Sequence, residues 1–96
     1  MKIYISESAD ADLLQIVSYL TERNPSAAAA AAQEINRKFE NLTRFPFIGR
    51  ERNSPAPGLR SVVAGMHVIF DLVESERIVV VRVLDGRRDI DAEFQR

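Results

Sequence analysis

The sequence predicts an α+β fold in which a short N-terminal strand is followed by an antiparallel hairpin of two helices and then by a three-stranded antiparallel meander. Two observations predict this order. Between residues 7 and 44 apolar side chains recur every three or four positions, as on the buried face of a helix, whereas after Gly58 they alternate, as in a strand. A chain of 96 residues can bury one modest hydrophobic core, so we expect a single domain over residues 1–96.

The first strand and the first helix are predicted near the N-terminus. Lys2–Ser6 alternates polar and apolar side chains and is rich in β-branched and aromatic residues, which favours a strand. Ser6 or Ser8 can accept from the free N–H groups at a helix start, and the helix should then run to about Arg23. Four apolar residues have the spacing of one buried helix face: Leu13, Ile16, Val17 and Leu20.

Asn24 and Pro25 separate the two helices, because asparagine can cap a helix and proline lacks the N–H that a first turn leaves unpaired. The second helix should stop near Arg44, since Pro46 disfavours helical geometry at Phe45. Its apolar seam comprises Ala28, Ala32, Ile35, Phe39 and Leu42. The small alanines allow another backbone to approach closely. Either the first helix or a helix of another protein could pack against them.

Two loops follow the helical hairpin. Phe45, Phe47 and Ile48 are large apolar residues in the first loop, and we expect them to tuck under the hairpin because such side chains rarely remain in water. The segment from Glu51 to Gly58 is polar and contains two prolines. We expect it to be the most mobile part of the chain.

Three strands are predicted in the C-terminal half, at Leu59–Val63, Met66–Val73 and Arg77–Leu84. Their short connections force neighbouring strands to run antiparallel. Ile78–Val81 is apolar on both faces, which is typical of a central strand. Two helices can cover only one face of the sheet, so we expect a partner to cover the other. A turn at Gly86 ends the last strand, where we expect a positive φ and hence strain in Gly86→Val.

Composition excludes several classes of protein. The sequence has no cysteine, which rules out disulfides, thiol catalysis and cysteine-based zinc sites and agrees with a reducing compartment. No apolar run approaches the roughly 20 residues that span a bilayer, and the N-terminus turns polar at Ser6, before a secretory signal could form. We therefore expect a cytoplasmic protein that does not bind membranes.

Charge gives a second constraint. The 13 lysines and arginines against 14 aspartates and glutamates leave a net charge of −1, so nothing in the overall charge attracts nucleic acid. We expect no direct sequence-specific contact with nucleic acid. Between Arg44 and Val62, however, four arginines stand against the single acid Glu51, and this local positive charge suits an acidic partner.

Residues that carry catalysis or hold cofactors are scarce. His67 is the only histidine, and no serine or carboxylate pattern near it indicates a triad or a metal site, so we interpret it as structural. The acidic pairs Asp10/Asp12 and Asp89/Asp91 point apart on a helix and are expected to be caps or solvated groups. No glycine-rich phosphate loop, HExxH or GxSxG motif occurs. We therefore expect no catalytic residue, no metal and no cofactor.

The remaining candidates for a functional site are four arginines, which we expect to converge on one edge of the sheet: Arg60, Arg82, Arg87 and Arg88. Guanidinium groups suit planar recognition of carboxylates or phosphates more than proton transfer. A structural interpretation is also open, in which Arg82 pairs with Asp71 on the next strand. In the same interpretation Arg88 forms a surface ion pair with Asp89 or Asp91.

In order and spacing, several motifs resemble the ParE branch of the RelE/ParE toxin superfamily. The resemblance covers nearly the whole chain, and the segments that carry it are Asp12-Leu13, Tyr19 and Pro25 in the hairpin, Leu42 to Pro46, Gly49-Arg50, Gly58-Leu59-Arg60, and Arg82 to Asp89. The resemblance implies a fold of one strand, two helices and three antiparallel strands, which agrees with the periodicity.

The resemblance also implies a toxin of a bacterial type II toxin–antitoxin system, held inactive by a ParD-like antitoxin. An amphipathic antitoxin helix is then expected in a groove beside Leu13, Val17 and Leu20, with an extended tail over the sheet. The implied target is DNA gyrase, trapped on cleaved DNA without the toxin making or breaking a bond. Under this interpretation the four arginines contact the target or the antitoxin.

Two alternatives stay open. RelE-like relatives are ribosome-dependent mRNA endonucleases that keep arginines where this chain has Arg60 and Arg88. They tend to place a tyrosine or histidine where this chain has Phe94, which lacks an ionisable proton. The other alternative is a folded but inactive relative that only binds the antitoxin.

Overall fold

The computed structural model describes residues 1–95 and places a five-stranded sheet against two long helices. In chain order its elements are β1 (Lys2–Ile5), α1 (Glu7–Arg23), α2 (Pro25–Arg44), β2 (Arg50–Glu51), β3 (Arg60–Ala64), β4 (His67–Val73), β5 (Arg77–Asp85) and α3 (Ile90–Phe94). The predicted α+β fold of one strand, two helices and then antiparallel strands is confirmed. The sequence did not indicate β2 or α3. No helix in the described residues is long and apolar enough to cross a bilayer.

Side-chain caps fix where the two long helices begin. The Ser6 hydroxyl accepts a hydrogen bond from the Ala9 N–H at 3.0 Å and donates to the Val81 carbonyl at 2.9 Å, so it both caps α1 and ties it to β5. The Asn24 side chain accepts from the Ala27 N–H at 3.2 Å at the start of α2. The same asparagine follows the last residue of α1, which makes the turn between the helices as short as the sequence indicated.

The central strand of the sheet is β5, within the strand order β1-β5-β4-β3-β2. It pairs in parallel with β1 on one side and antiparallel with β4 on the other. Ile78 and Val80 have no solvent exposure, which confirms the central strand predicted from residues 78–81. A bulge interrupts the register between β4 and β5 beside Phe70 and Asp71.

The two long helices cover one face of the sheet. The core on that side comprises Ala9, Ile35, Leu42, Ala64, Ile69, Ile78, Val80 and Val83. Ala28, Ile35 and Leu42 of the predicted α2 seam are buried, as expected. In α1 the buried residues are Ala9 and Asp12, so the apolar stripe predicted for this helix is only partly covered.

The second face of the sheet is covered by the chain itself, which corrects the expectation that a partner must cover it. Leu59, Phe70 and Leu84 form a second core there, and side chains of α3 and of the segment before β3 pack against it. The Phe94 ring meets the Phe70 ring edge-on, with centroids 5.2 Å apart. A five-residue helix is too short to show periodicity, so no pattern in the sequence indicated this cover.

The loop between α2 and β2 leaves its large apolar side chains in water. Phe45, Phe47 and Ile48 are 61%, 65% and 47% exposed, so the prediction that they tuck under the hairpin is wrong. The physical reason is a competing anchor, because Arg60 of β3 binds the backbone of this loop and fixes it with these side chains outward.

Gly86 does not have the positive φ that the sequence predicted. Within residues 1–95 the glycines with positive φ are Gly58 and Gly65, at 79° and 63°. A Cβ at Gly86 would lie 3.4 Å from the Met66 carbonyl oxygen and from Val68, which is close to ordinary van der Waals contact. The strain expected in Gly86→Val therefore has no basis in the backbone conformation.

Candidate functional site

Arg82 joins three elements of the fold. Its Nε and Nη2 donate to the two carboxylate oxygens of Asp12 in α1, at 2.7 and 2.9 Å, and its Nη1 donates to the Glu93 carbonyl in α3 at 3.0 Å. The hydrogen bond to Asp12 raises the pKa of Arg82, against the opposing effect of burial. The alternative pairing of Arg82 with Asp71 is therefore wrong, and the Arg82 guanidinium is used inside the protein.

Asp12 also closes an open edge of the sheet. β1 pairs with β5 only as far as Val80. Beyond that point the Val83 N–H donates to the Asp12 carboxylate at 3.0 Å, so this buried side chain accepts three hydrogen bonds that compensate its burial. Two of the segments that carry the resemblance, Asp12-Leu13 and Arg82-Val83, thus meet in the structure.

Arg87 and Arg88 follow β5 and are exposed, and each has an acidic partner. Arg87 donates to both carboxylate oxygens of Asp85, at 3.1 and 2.8 Å, and holds the pKa of Asp85 well below its usual value. Arg88 donates to Glu93 at 2.9 Å, and not to either of the two aspartates considered from the sequence. The Arg87–Asp85 pair is exposed and weak, so Arg87 can exchange this partner for another, whereas Glu93 is buried and the Arg88–Glu93 pair is costlier to break.

Arg60 lies apart from Arg87 and Arg88, so the prediction that all four arginines converge on one edge is wrong. Arg60 of β3 pairs with Asp71 of β4. Asp85, the last residue of β5 before Arg87 and Arg88, pairs with His67 of β4. These positions differ by four residues along β4, about 13 Å at 3.3 Å per residue, and β4 separates β3 from β5. Arg87 and Arg88 therefore lie beyond the end of β5 and Arg60 lies at the start of β3, while Arg82 is level with Phe70 inside β5.

Arg60 anchors the loop that precedes β2. Its Nη2 donates to the Phe47 carbonyl at 2.9 Å and to the Gly49 carbonyl at 2.6 Å, and its Nη1 donates to Glu51 at 3.4 Å. Its Nε is buried without a hydrogen-bond partner in the described residues. Most of the hydrogen-bonding capacity of Arg60 is thus directed inward.

Asp71 is a buried carboxylate that the sequence did not single out as a site. It has no solvent exposure, and neither of its oxygens has a hydrogen-bond partner among residues 1–95. Burial raises the pKa of Asp71 to about 6, while the charge of Arg60, its neighbour on β3, acts in the opposite direction. The sequence signal that could have found it is a lone acid within the apolar run of β4.

His67 pairs with Asp85 across β4 and β5. Burial lowers the pKa of His67; the Asp85 carboxylate raises it and Arg87 lowers it, both to smaller extents. In the part of the chain that the structure describes, no group of three or more acidic or histidine side chains is placed to hold a metal ion. The structural interpretation of His67 stays a prediction.

An apolar surface is open on the outer side of α1. Leu13, Leu14 and Val17 line a shallow groove together with Asp10 and Ser18. Leu14 is 64% exposed and Val17 is 41% exposed. We refer to Leu13, Leu14 and Val17 as the α1 surface.

The α1 surface and the groove predicted from the sequence share two of their three residues. Leu20, the third predicted member, is partly buried and lies outside the groove lining. Leu14 takes its place. The sequence missed Leu14 because it stands outside the regular apolar stripe of α1.

Several solved structures that share this fold belong to bacterial toxins or toxin–antitoxin complexes. The chromosomal ParDE system of P. aeruginosa gives a TM-score of 0.75 at 24% identity, over 88% of this chain and 95% of that chain. The YoeB/ParE toxin of Agrobacterium tumefaciens gives 0.67 at 20% identity, over 88% and 98%. The RelBE2 toxin–antitoxin complex of Mycobacterium tuberculosis gives 0.63 at 21% identity, over 88% and 95%. The fold is therefore that of the ParE and YoeB toxins.

Sequence comparison identifies the family within this class. The family described as ParE toxin of type II toxin-antitoxin system, parDE, matches residues 3–90. Toxin ParE3 of Caulobacter vibrioides is 31% identical over 84 residues, which are 86% of this chain and 84% of that protein. Toxin ParE1 of Mycobacterium tuberculosis is 33% identical over 89 residues, which are 91% of each chain. The chain belongs to the ParE toxin family of type II toxin–antitoxin systems.

Proposed function

We propose that this protein inhibits DNA gyrase and that a ParD-like antitoxin neutralises it. Family membership supports the role of a toxin. One observation carries the choice of gyrase over messenger RNA: the two arginines that correspond to a nuclease centre lie in separate places, and one of them is bound inside the fold.

A ribosome-dependent nuclease needs proton donors and acceptors beside the scissile phosphate, and cations that bind it. Phe94 stands where the resemblance implies an ionisable ring, but it packs against Phe70 and carries no such proton. Arg60 is bound to loop carbonyls at the start of β3, while Arg88 follows the end of β5. Because these groups do not gather around one phosphate, gyrase inhibition is the better-supported function.

The α1 surface supports the antitoxin part of the proposal. Leu14 and Val17 are one helical turn apart and largely in water, where apolar area costs about 25 cal/mol per Å² relative to burial. An amphipathic antitoxin helix that packs over them removes this area from water. Asp10 at the rim of the groove favours a basic residue at the matching position of the antitoxin.

A RelE-like endonuclease is the second candidate because of one feature at the end of the sheet. His67 lies across from Asp85, and Arg87 binds the same carboxylate, so an imidazole, an acid and a guanidinium are neighbours. If Arg87 exchanged Asp85 for an RNA phosphate, His67 would be a candidate group for proton transfer.

Two assays on one protein preparation separate these candidates. Purified protein is added to gyrase with plasmid DNA and, in parallel, to translating ribosomes with a defined mRNA. Inhibited supercoiling with intact mRNA supports the proposal, whereas codon-dependent mRNA cleavage with normal supercoiling overturns it. His67→Ala is the matched control, because it removes the candidate base of the nuclease and should leave gyrase inhibition unchanged.

An inactive relative that only binds the antitoxin would be silent in both assays. Induced expression in bacterial cells tests this third possibility. A toxin arrests growth, and co-expression of the antitoxin restores it. An inert binder leaves growth unchanged in either case.

A further inference from the structure

A second apolar surface lies in the loop after α2. Phe45, Phe47 and Ile48 are each about half or more exposed and stand within four consecutive residues. We refer to these three side chains as the loop patch. Neighbouring large apolar side chains in water are characteristic of surfaces that bind another molecule.

The loop patch is built on a fixed backbone. The Ile48 N–H donates to the Phe45 carbonyl at 3.1 Å, which closes a turn. Arg60 holds the Phe47 and Gly49 carbonyls, and its guanidinium carbon is 5.3 Å from the centre of the Phe47 ring. A loop held in this way presents its side chains in one arrangement, which reduces the entropy lost on binding.

Gly49 shows how closely this loop is pressed against β3. A Cβ at Gly49 would lie 3.2 Å from the Ser61 carbonyl oxygen and 3.3 Å from the Arg60 Cβ. Backbone atoms cannot yield as flexible side chains do, so a residue without a Cβ is favoured here. The close contact is a second restraint on the loop, independent of the hydrogen bonds from Arg60.

Two arginines flank the loop patch without partners. The side chains of Arg44 and Arg50 are exposed, and neither guanidinium forms a hydrogen bond or an ion pair with any of residues 1–95. The flanks are therefore positive while the centre is apolar. This pattern complements a protein surface that has carboxylates around an apolar centre.

The loop patch is separate from the α1 surface. The patch is anchored by Arg60 on β3, whereas α1 is tied to β5 through Ser6 and Asp12. β4 lies between these strands, so the two anchors are about 10 Å apart across the sheet. The two surfaces therefore depend on different strands of the sheet, and separate substitutions can test them.

We propose that the loop patch, with Arg44 and Arg50, is the surface by which the toxin docks on its protein target, and that the matching target surface is acidic with an apolar centre. The inference rests on the proposed function, in which that target is gyrase. A second copy of the chain is a poor occupant, because a two-fold contact through the patch would bring the positive flanks of the two copies together. The Arg60 guanidinium already lies over the Phe47 ring and the net charge of the protein is −1, so a single-stranded nucleic acid is a poorer occupant than a protein.

The test uses two variants of the loop patch and one matched control. The charge variant combines Arg44→Glu with Arg50→Glu, and the apolar variant combines Phe47→Ser with Ile48→Ser. The control variant reverses two exposed arginines elsewhere, Arg23→Glu and Arg37→Glu. Three quantities are measured for each: affinity for purified gyrase holoenzyme, affinity for the antitoxin, and growth arrest on expression.

We expect the charge and apolar variants to lose gyrase affinity by about tenfold or more and to lose growth arrest, while antitoxin affinity stays within about twofold of wild type. Retained antitoxin affinity shows that the variants are folded. The control variant should match the wild type in all three quantities.

Several results overturn the inference. Wild-type growth arrest and gyrase affinity in both loop variants would show that the patch does not dock on the target. Loss of antitoxin affinity in parallel with gyrase affinity would assign the patch to the antitoxin. A wild-type protein that dimerises or binds single-stranded oligonucleotides through these residues would assign the patch to a second copy or to nucleic acid.

The wild-type arm distinguishes failure of the inference from failure of the proposed function. A wild-type protein that arrests growth without binding gyrase removes gyrase as the target. In that case loss of growth arrest in both loop variants, with normal antitoxin affinity, still supports docking on another protein target. Retained growth arrest in the variants overturns the docking surface whatever the target is.

Discussion

Asp71 is the residue through which this fold responds most directly to pH. Its carboxylate is fully buried, has no hydrogen-bond partner among the described residues, and has a pKa of about 6 instead of the usual 3.8. The folded protein therefore binds this proton more tightly than the unfolded chain does. The contribution of Asp71 to stability is fully present below about pH 4 and is lost as pH rises towards 6.

Asp71→Asn removes the charge and keeps the volume of the side chain. We expect the free energy of unfolding of this variant to exceed that of the wild type by about 2 kcal/mol near pH 7.5, and to equal it near pH 4. Urea denaturation at several pH values measures both. Asp91→Asn, at an exposed position, is the control. Parallel pH profiles for wild type and Asp71→Asn would contradict the role given to Asp71.

Arg82 is a structural residue whose removal leaves Asp12 buried with the Val83 N–H as its remaining hydrogen-bond donor. We expect Arg82→Ala to lower the free energy of unfolding by about 3 kcal/mol, because one member of a largely buried pair is lost. Arg87→Ala, which removes an exposed partner of Asp85, should leave the unfolding midpoint nearly unchanged. Thermal denaturation compares the two variants. If the Arg82→Ala protein kept wild-type stability but failed to bind the antitoxin, Arg82 would be a contact residue and not a structural one.

The α3 helix is the element that completes the second face of the sheet. The Asp89 side chain caps it by accepting from the Ala92 N–H at 3.2 Å, and Arg82 binds its Glu93 carbonyl. A helix this short has little stability of its own, so its position depends on these contacts and on the Phe94 ring.

Phe94→Ala removes the ring that packs against Phe70. We expect the free energy of unfolding to fall by about 2–3 kcal/mol, since a large apolar side chain is lost from the core on that face. Gln95→Ala, at the exposed neighbouring position, should change stability little. Chemical denaturation measures both variants. Wild-type stability in Phe94→Ala would mean that α3 does not cover the sheet in solution.

The α1 helix is the element on which antitoxin binding is expected to depend. Leu14→Glu with Val17→Glu places two charges on the α1 surface, and we expect antitoxin affinity to fall about 100-fold because apolar contact is replaced by buried charge. Stability should change little, since both side chains are already exposed.

The control for the α1 surface is Ser8→Glu with Gln15→Glu. These positions are also exposed and add the same charge on another side of the same helix. Calorimetric titration with the antitoxin separates the two pairs of substitutions. Equal losses of affinity in both pairs would mean that charge, and not apolar contact, controls binding.

Over the whole molecule, the order of the elements could be predicted from the sequence because it depends on local patterns. The helix bounds follow from Ser6, Asn24 and Pro25, and the strands from alternation after Gly58. The contacts that place the candidate residues are not local. Asp12 and Arg82 are 70 positions apart in the sequence, and no local sequence pattern predicts that they pair.

The corrections share one physical cause. The sequence indicated which side chains are apolar, but whether each is covered depends on small elements that have no period of their own. The α3 helix covered a face predicted to be open, and the anchoring of the loop by Arg60 exposed residues predicted to be buried. In consequence, the two exposed apolar surfaces that we propose for partners lie on α1 and on the loop patch.

The proposal that this ParE-family protein inhibits DNA gyrase is tested most directly by gyrase-dependent DNA cleavage. Purified protein is titrated into gyrase and supercoiled plasmid, the reaction is stopped with detergent and protease, and linear DNA is quantified before and after addition of the antitoxin. We predict that linear DNA rises with toxin concentration and returns to its baseline once antitoxin is equimolar. No rise in linear DNA at any toxin concentration that arrests growth would contradict the account.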